Sequence, residues 1–173
     1  MEGAFVVPMV LFLSSLAIRV IYELLKEARR IDPENTAVFV GIFSVMMILW
    51  VSWFSLPDAD PVPLGLPDTV RWAGLAVFAI GAILAVGALV QLRGVENIDR
   101  LVTTGLFRRL RHPMYLGFIC WFLGWSIAHD AGASVLIGLV GSGSVLWWRH
   151  LEERRLEQQF GDRYLQYRRA TWF

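Results

Sequence analysis

Cysteine and charged residues are scarce in this sequence. Cys120 is the only cysteine among 173 residues, so one chain can form neither a disulfide framework nor a metal site of several thiolates. Charged residues make up 18% of the chain, compared with roughly a quarter in soluble domains. A formal net charge of +1 provides no basic face of the kind that binds nucleic acid. We therefore expect neither a disulfide-stapled protein nor a nucleic-acid partner.

Two catalytic signatures are missing as well. His, Glu and Asp do not cluster at the spacing of metal ligands, so no metal is expected. No glycine-rich loop is present that would cradle a phosphate. Apolar residues, by contrast, make up 56% of the chain and include eight Trp and eleven Phe. This composition predicts a membrane protein with a single domain over residues 1–173.

Five apolar segments predict an all-α, polytopic membrane bundle of about five transmembrane helices. The first segment lacks a basic start and a cleavage motif, so we expect a retained helix and not a signal peptide. Three amino-terminal helices would occupy residues 1–92, and a loop, a short hairpin of helices four and five and a tail would occupy 93–173. The segments run over residues 5–21, 36–56, 70–92, 114–129 and 132–148.

Basic residues are distributed unevenly among the loops. The loop after segment three contains Arg93 and Arg100, and the loop after segment one and the tail are also basic, whereas residues 57–68 contain no Lys or Arg. The positive-inside rule therefore places the amino terminus outside and the tail in the cytoplasm. Apolar residues at helical spacing in the tail predict a cytoplasmic amphipathic helix, with Gly161 as a point of interruption. Arg19, near the cytoplasmic end of segment one, is expected to snorkel.

Two polar groups flank the predicted hairpin. Pro113 suits the first turn of helix four, where the free N–H groups of the helix, with Arg111 and His112, favour an anionic guest. Glu152 and Glu153 are expected directly after helix five, where the helix dipole disfavours acids and a positive partner is needed. Because the hairpin brings these ends together, a zwitterion between them would meet cationic donors and carboxylates.

The amino-acid end of S-adenosylmethionine is such a zwitterion. It carries a carboxylate and an ammonium group, and its sulfonium would be favourably placed near an aromatic face such as Tyr115 or Trp148. S-adenosylmethionine is therefore one ligand that would suit these residues.

The same stretches carry a family resemblance. TTGLF at 103–107, RHPMYLG at 111–117 and LEERRLEQQFGDRYLQYRR at 151–169 together resemble the isoprenylcysteine carboxyl methyltransferase family and its relatives among phospholipid methyltransferases. The resemblance covers about residues 100–169. It implies an integral membrane methyltransferase that binds S-adenosylmethionine in a cytoplasmic pocket and admits a lipophilic acceptor sideways from the bilayer.

The resemblance also implies roles for individual residues. For an amine or thiol acceptor, the residues themselves offer Glu153, His112 or His150 as the group that takes the proton. Arg168 or Arg169 could orient an anionic acceptor, although each is also suited to anchor a lipid headgroup. The tail ends in Ala-Thr-Trp-Phe, where the family commonly continues into a Val-Pro-Arg-like segment. The cofactor-binding residues implied by the resemblance are Gly105, Leu106, Arg111, His112, Pro113, Tyr115, Leu116, Glu152 and Glu153.

Several functions stay open at this point. The acceptor is a prenylcysteine-type or other lipophilic carboxylate, a phospholipid amine or a small thiol, and membrane lipids are the other expected partners. Some sterol reductases that bind NADPH resemble this family over the same hairpin, so a reductase is the alternative from another enzyme class. A membrane protein that kept the pocket without catalysis is the third hypothesis.

Overall fold

Six α-helices make up most of the residues that the structure describes. The computed structural model describes residues 2–33, 35–92 and 100–173, without the side chain of Glu2, and these residues contain two isolated bridges but no β-strand. Arg93, which contributed to the predicted orientation, lies outside the described residues. The helices are α1 (Glu2–Glu27), α2 (Thr36–Ser55), α3 (Asp68–Leu92), α4 (Pro113–Ala128), α5 (Gly132–Phe160) and α6 (Asp162–Ala170). The predicted all-α class is confirmed.

The first three helices are long and apolar enough to cross a membrane. Within the described residues, these are the spans Gly3–Glu27, Thr36–Ala59 and Asp68–Leu92. Helix α4 is apolar but only 16 residues long, and α5 follows it after a short corner at residues 129–131. The protein is therefore a helical membrane bundle with the predicted α4–α5 hairpin, while the count of five spans stays a prediction.

Local sequence signals set several helix ends. The Asn35 side chain accepts hydrogen bonds from the N–H groups of Ala37 and Val38, at 2.9 and 3.3 Å, and so caps the start of α2. Pro113 is the first residue of α4, as predicted. Gly161 has a φ of 52° and separates α5 from α6, because glycine enters this left-handed region at little cost. The predicted interruption at Gly161 is confirmed.

Helix α5 is longer than the apolar pattern predicts. It continues past Trp148 to Phe160, so Glu152 and Glu153 lie inside the helix. The prediction that they directly follow its end is wrong, and the unfavourable dipole at a helix end does not act on them. The reason is that residues 149–160 are mostly Arg, Glu, Gln and Leu, which favour helix, and contain no Pro or Gly. Polarity changes at Trp148, but helix propensity does not.

Small residues bring α3 and α4 into close contact. A Cβ atom added to Gly117 would lie 2.6 Å from the carbonyl oxygen of Gly81, and one added to Gly124 would lie 2.6 Å from the amide nitrogen of Phe78. Such small-residue contacts allow close approach of membrane helices, where van der Waals packing is a main source of association. The start of α4 is therefore held rigidly against α3.

An aromatic cluster joins α1, α2 and α4. Phe12 of α1, Trp53 of α2 and Phe122 of α4 are buried, with the Trp53 and Phe122 ring centroids 4.9 Å apart. Helices α2 and α3 meet near one end of the bundle, where the rings of Phe54 and Phe78 lie 6.0 Å apart. Towards the other end, residues of both helices line a cavity.

Candidate functional site

The RHPMYLG stretch lies beside the carboxyl-terminal tail. Arg111 Nη1 donates hydrogen bonds to the carbonyl oxygens of Arg168 at 2.9 Å and Thr171 at 2.6 Å. The backbone N–H groups of Arg111 and His112 donate to the carbonyls of Trp172 and Phe173, both at 3.1 Å. The donors expected to bind an anionic guest are thus partly engaged by backbone carbonyls of the tail.

Glu153 lies behind this contact, between two of the predicted cofactor residues. Its Oε1 is 3.3 Å from Arg111 Nε and 3.3 Å from His112 Nε2. The approach of His112 falls short of a directed hydrogen bond, and the buried His112 Nε2 has no hydrogen-bond partner among the described residues. The structure therefore brings Arg111, His112 and Glu153 together and leaves a buried polar atom unsatisfied.

The environment of Glu153 strongly favours its ionised form. The pKa of the Glu153 carboxyl falls to about 2, and the close approach of His112 is the largest cause. The charges of Arg111 and Arg149 also lower this pKa, whereas burial raises it. A carboxylate with so low a pKa is a weak proton acceptor near neutral pH. Its negative charge, and not its basicity, is the property that the site maintains.

Glu152 points to a different side of α5 from Glu153. Successive residues of an α-helix are rotated by about 100°, and the Tyr115 hydroxyl donates a 2.6 Å hydrogen bond to Glu152 Oε2. The His112 ring is stacked on Tyr115 at a centroid distance of 5.6 Å. These contacts connect the residues around Glu153 with those around Glu152. The site therefore has two faces, the first at Glu153 and the second at Glu152.

The second face belongs to a cavity of about 400 Å³, a volume within the usual range of small-molecule sites. Tyr115, Glu152 and Trp148 contribute to its lining. Most of the wall is apolar and comes from α2, α3 and α4: Phe39, Ile42, Phe43, Met46, Met47, Trp50, Leu89, Leu92, Met114, Phe118 and Trp121.

The cavity opens at the surface of the bundle along α2. Phe39, Phe43 and Met47 line the cavity, yet 46%, 51% and 44% of their surfaces are exposed. Leu89 and Leu92 of α3 also line it. The cavity is therefore exposed on its apolar side along α2.

The predicted turn before the motif supports the cavity indirectly. Gly105 has a φ of 59°, and a Cβ atom there would lie 2.5 Å from Gln91 Oε1. The Leu106 N–H donates a 3.0 Å hydrogen bond to the same Gln91 oxygen, which fixes the turn on the end of α3. Phe107, the next residue, reaches the cavity.

The other predicted residues lie away from the cavity lining. Pro113 and Leu116 form the first turn of α4, where the Leu116 N–H donates to the His112 carbonyl at 3.1 Å. The Arg168 side chain is half exposed, with Nη1 3.8 Å from Glu157 Oε2. Within the described residues, Leu116 and Arg168 do not line the cavity.

Sequence reasoning missed four residues near the site. Tyr164 is completely buried, its hydroxyl has no hydrogen-bond partner in the described part of the chain, and burial, reinforced by the charge of Glu153, raises its pKa. Arg19, Glu23 and Arg155 form an ion-pair network on the cavity wall. A cation inside an apolar segment is itself a signal of function, so the position of Arg19 was the one available hint.

The residues at the cavity fit a ligand with a cationic group. Glu152 offers a carboxylate at the cavity, while Tyr115 and Trp148 offer aromatic faces that suit a cation. Trp148 Nε1 on the cavity wall is buried without a hydrogen-bond partner among the described residues. His112 Nε2 also lacks a hydrogen bond within them, although it lies 3.3 Å from Glu153 Oε1. No group of three or more His, Cys, Asp or Glu suited to a metal occurs within those residues.

Comparison with known proteins identifies the family. Residues 69–163 match the model of the phospholipid methyltransferase family, which covers more than half of the chain, and the protein belongs to this family. The region includes both the RHPMYLG stretch and the acidic pair, and it excludes α1 and α2. The predicted family relationship is confirmed.

Curated relatives fall into two groups. The chain is 28% identical to a protein-S-isoprenylcysteine O-methyltransferase of Dictyostelium discoideum, over 71% of this chain and 54% of the relative. It is 31% and 34% identical to methanethiol S-methyltransferases 1 and 2 of Bradyrhizobium diazoefficiens, over 79% of this chain and 52% and 57% of the relatives. The chain thus spans about half the length of these relatives. No solved structure matches it.

Proposed function

We propose that the protein is an integral membrane methyltransferase that uses S-adenosylmethionine and acts on a lipophilic acceptor, with a prenylcysteine-type carboxylate as the first candidate. One observation carries the proposal: the Tyr115–Glu152 hydrogen bond joins the two family motifs on the wall of a mostly apolar cavity that is exposed along α2. Membership of the phospholipid methyltransferase family supports it. We treat residues 1–173 as one such domain.

Two layers of residues would hold the cofactor. Tyr115 and Glu152 contribute to the cavity wall itself, where the Glu152 carboxylate suits a cationic group. Arg111, His112 and Glu153 lie behind them and set the local charge. Gly105, Leu106, Pro113 and Leu116, the other residues implied by the resemblance, would act by shaping the turn and the first turn of α4.

The cofactor supplies a methyl group that its sulfonium already activates. The contribution of the protein is therefore to align the acceptor with that methyl group and to keep water away. The apolar walls from α2 and α4 exclude water, and the rigid contact between α3 and α4 fixes Tyr115. A carboxylate acceptor needs no base, which agrees with the low basicity of Glu153.

Two predicted catalytic roles remain predictions. Glu153 as a proton acceptor would matter only for an amine or thiol, and its pKa of about 2 favours an electrostatic role instead. Arg168 as a residue that orients an anionic acceptor would need to reach the cavity, whereas its carbonyl already accepts a hydrogen bond from Arg111. Its more direct function in this arrangement is to hold Arg111.

The exposed apolar lining of the cavity along α2 supports access from the bilayer. An acceptor with a long apolar part would enter along α2 and meet the polar wall at Tyr115 and Glu152. Lys26, Arg100 and Arg155 lie at that polar end of the cavity, which agrees with a cytoplasmic site, an external amino terminus and a cytoplasmic tail. Membrane lipids would surround the exposed apolar faces of α1 to α3.

Transfer of a labelled methyl group tests the proposal. The purified protein is incubated with S-adenosylmethionine and one acceptor at a time. The acceptors are a prenylated cysteine, phosphatidylethanolamine and methanethiol. We expect label in the prenylated cysteine and strongly reduced transfer in the Glu152→Gln variant. Transfer to methanethiol alone would favour the thiol methyltransferase alternative, and no transfer to any acceptor would contradict the proposal.

A further inference from the structure

Helix α1 contributes a buried ion pair to the protein. Arg19 donates a hydrogen bond to Glu23, one turn further along the helix, and their side chains are only 15% and 7% exposed. Arg155 of α5 approaches the same carboxylate, with Nη2 3.1 Å from Glu23 Oε2, and pairs with Glu27 at 2.9 Å. The network thus connects the first helix, which lies outside the matched family region, to the helix that carries Glu152.

The Arg19 guanidinium is held between two aromatic rings. Its central carbon lies 5.0 Å from the ring centroid of Tyr22 and 5.0 Å from that of Trp148, distances at which a cation is attracted to an aromatic face. Trp148 lies one helical turn before Glu152, and both residues line the cavity with Arg19. Arg19 is therefore fixed beside the proposed reaction site by buried contacts, whereas the snorkelling predicted from the sequence would leave its guanidinium exposed.

Basic side chains outnumber acidic ones on the cavity wall. Four basic residues line it, against two acidic residues, Glu23 and Glu152. Glu27, outside the lining, pairs with one of the basic residues, Arg155. The excess of basic residues gives this end of the cavity an electrostatic potential that attracts a negatively charged group. The basic residues are Arg19, Lys26, Arg100 and Arg155.

We propose that Arg19, assisted by Arg155, is a specificity-determining residue that binds the anionic end of the lipophilic acceptor. The inference rests on the proposed function, because only a methyltransferase has such an acceptor. Among the described residues, Arg19 donates a hydrogen bond only to Glu23, which leaves further N–H donors of its guanidinium for a carboxylate or phosphate. Glu23 holds the side chain in position for this contact.

A purely structural ion pair makes a different prediction. A pair that only joined α1 to α5 would stabilise the protein without distinguishing between ligands. A binding role requires the protein to prefer an anionic amphiphile over a neutral one of the same length, and it requires this preference to depend on Arg19. Ligand selectivity is therefore the readout that separates the two roles.

Quenching of tryptophan fluorescence by brominated amphiphiles measures this selectivity, since Trp50, Trp121 and Trp148 line the cavity. The probes are ω-bromoundecanoate and ω-bromoundecanol, added to the full chain in a nonionic detergent. We expect the wild type to bind the acid about tenfold more tightly than the alcohol, a factor typical of one hydrogen bond to a charged group. Arg19→Gln should lose this preference and keep its affinity for the alcohol.

Arg30→Gln is the matched control, because Arg30 is exposed and its substitution changes the net charge equally. This variant should keep the preference for the acid. Equal binding of both probes by the wild type would overturn the proposal, even if Arg19→Gln does not fold. A preference for the acid that survives in Arg19→Gln would also overturn it. Displacement of the acid by phosphatidylglycerol would assign the site to a membrane lipid and also overturn it.

Binding of S-adenosylhomocysteine, measured on the same samples, separates this inference from the proposed function. If the protein prefers the acid but does not bind S-adenosylhomocysteine, the proposed methyltransferase function is contradicted. The role of Arg19 in acceptor binding is then contradicted as well. Cofactor binding without acid selectivity would overturn the role of Arg19 and leave the methyltransferase standing.

Discussion

Tyr115 of α4 donates a 2.6 Å hydrogen bond to Glu152 of α5. Because Tyr115 belongs to the RHPMYLG stretch and Glu152 to the acidic pair, this contact connects the two halves of the family motif. Both residues line the cavity, whereas the neighbouring acid Glu153 faces Arg111 and His112. The arrangement separates the residues expected to touch ligands from those expected to position them.

Removal of the Tyr115 hydroxyl should weaken cofactor binding. In Tyr115→Phe, Glu152 loses a charge-assisted hydrogen bond and its position at the cavity wall. We expect the affinity for S-adenosylhomocysteine to fall about tenfold, as for the loss of one such bond. Calorimetric titration measures the change. Tyr167→Phe is the control, since it removes a 2.6 Å hydrogen bond to a backbone carbonyl and should leave affinity within about a factor of two; equal losses would contradict the assignment.

Neutralising Glu153 should destabilise the protein. Glu153→Gln leaves the buried His112 and the largely buried Arg111 without their shared carboxylate, and loss of one partner of a buried pair costs about 3–5 kcal/mol. Glu157→Gln affects a half-exposed pair at 3.8 Å, which is worth about 1 kcal/mol or less. Thermal unfolding in detergent should therefore show a much larger decrease in melting temperature for Glu153→Gln. Similar decreases would argue against a structural charge cluster at Glu153.

The low pKa of Glu153 predicts an acid-labile contribution to stability. Its folded pKa of about 2 lies below the ordinary value of 4.5, so the contribution is complete above about pH 4.5 and is lost as the pH falls towards 2. The melting temperature of the wild type should decrease over this window by more than that of Glu153→Gln. Parallel pH profiles for the two proteins would show that another group causes the acid sensitivity.

Close packing of α3 on α4 should not tolerate a methyl group. In Gly117→Ala the new Cβ would lie 2.6 Å from the Gly81 carbonyl oxygen, and such overpacking costs about 1–3 kcal/mol. Gly143→Ala adds the same methyl group where no atom lies within 4 Å, so it should be neutral or slightly stabilising. The melting temperatures of the two variants in detergent test the contact. A neutral Gly117→Ala would contradict it.

Much of the fold follows from local signals in the sequence. Apolar segment length predicts α1 to α4, and Pro113 and Gly161 mark helix boundaries because their backbone preferences act locally. The predicted end of α5 was wrong because the apolar pattern stops at Trp148, while helix-favouring residues continue to Phe160. Hydrophobicity reports the membrane boundary, whereas helix propensity reports the helix boundary, and here the two differ.

The site was predictable only in part for a related reason. The hairpin brings RHPMYLG near Glu152 and Glu153, as the sequence predicts, but a rotation of about 100° between the two acids decides which one faces the cavity. The pairing of Arg155 with Glu23 joins residues 132 positions apart. No spacing rule within a single segment identifies such a contact.

Calorimetric titration of the detergent-purified protein with S-adenosylhomocysteine, with NADPH as the parallel ligand, tests the central claim most directly. The account predicts micromolar binding of S-adenosylhomocysteine, no binding of NADPH, and a loss of at least about tenfold in affinity for Glu152→Gln. Binding of NADPH alone would favour a reductase. Binding of neither ligand would contradict the methyltransferase and favour a non-catalytic membrane protein.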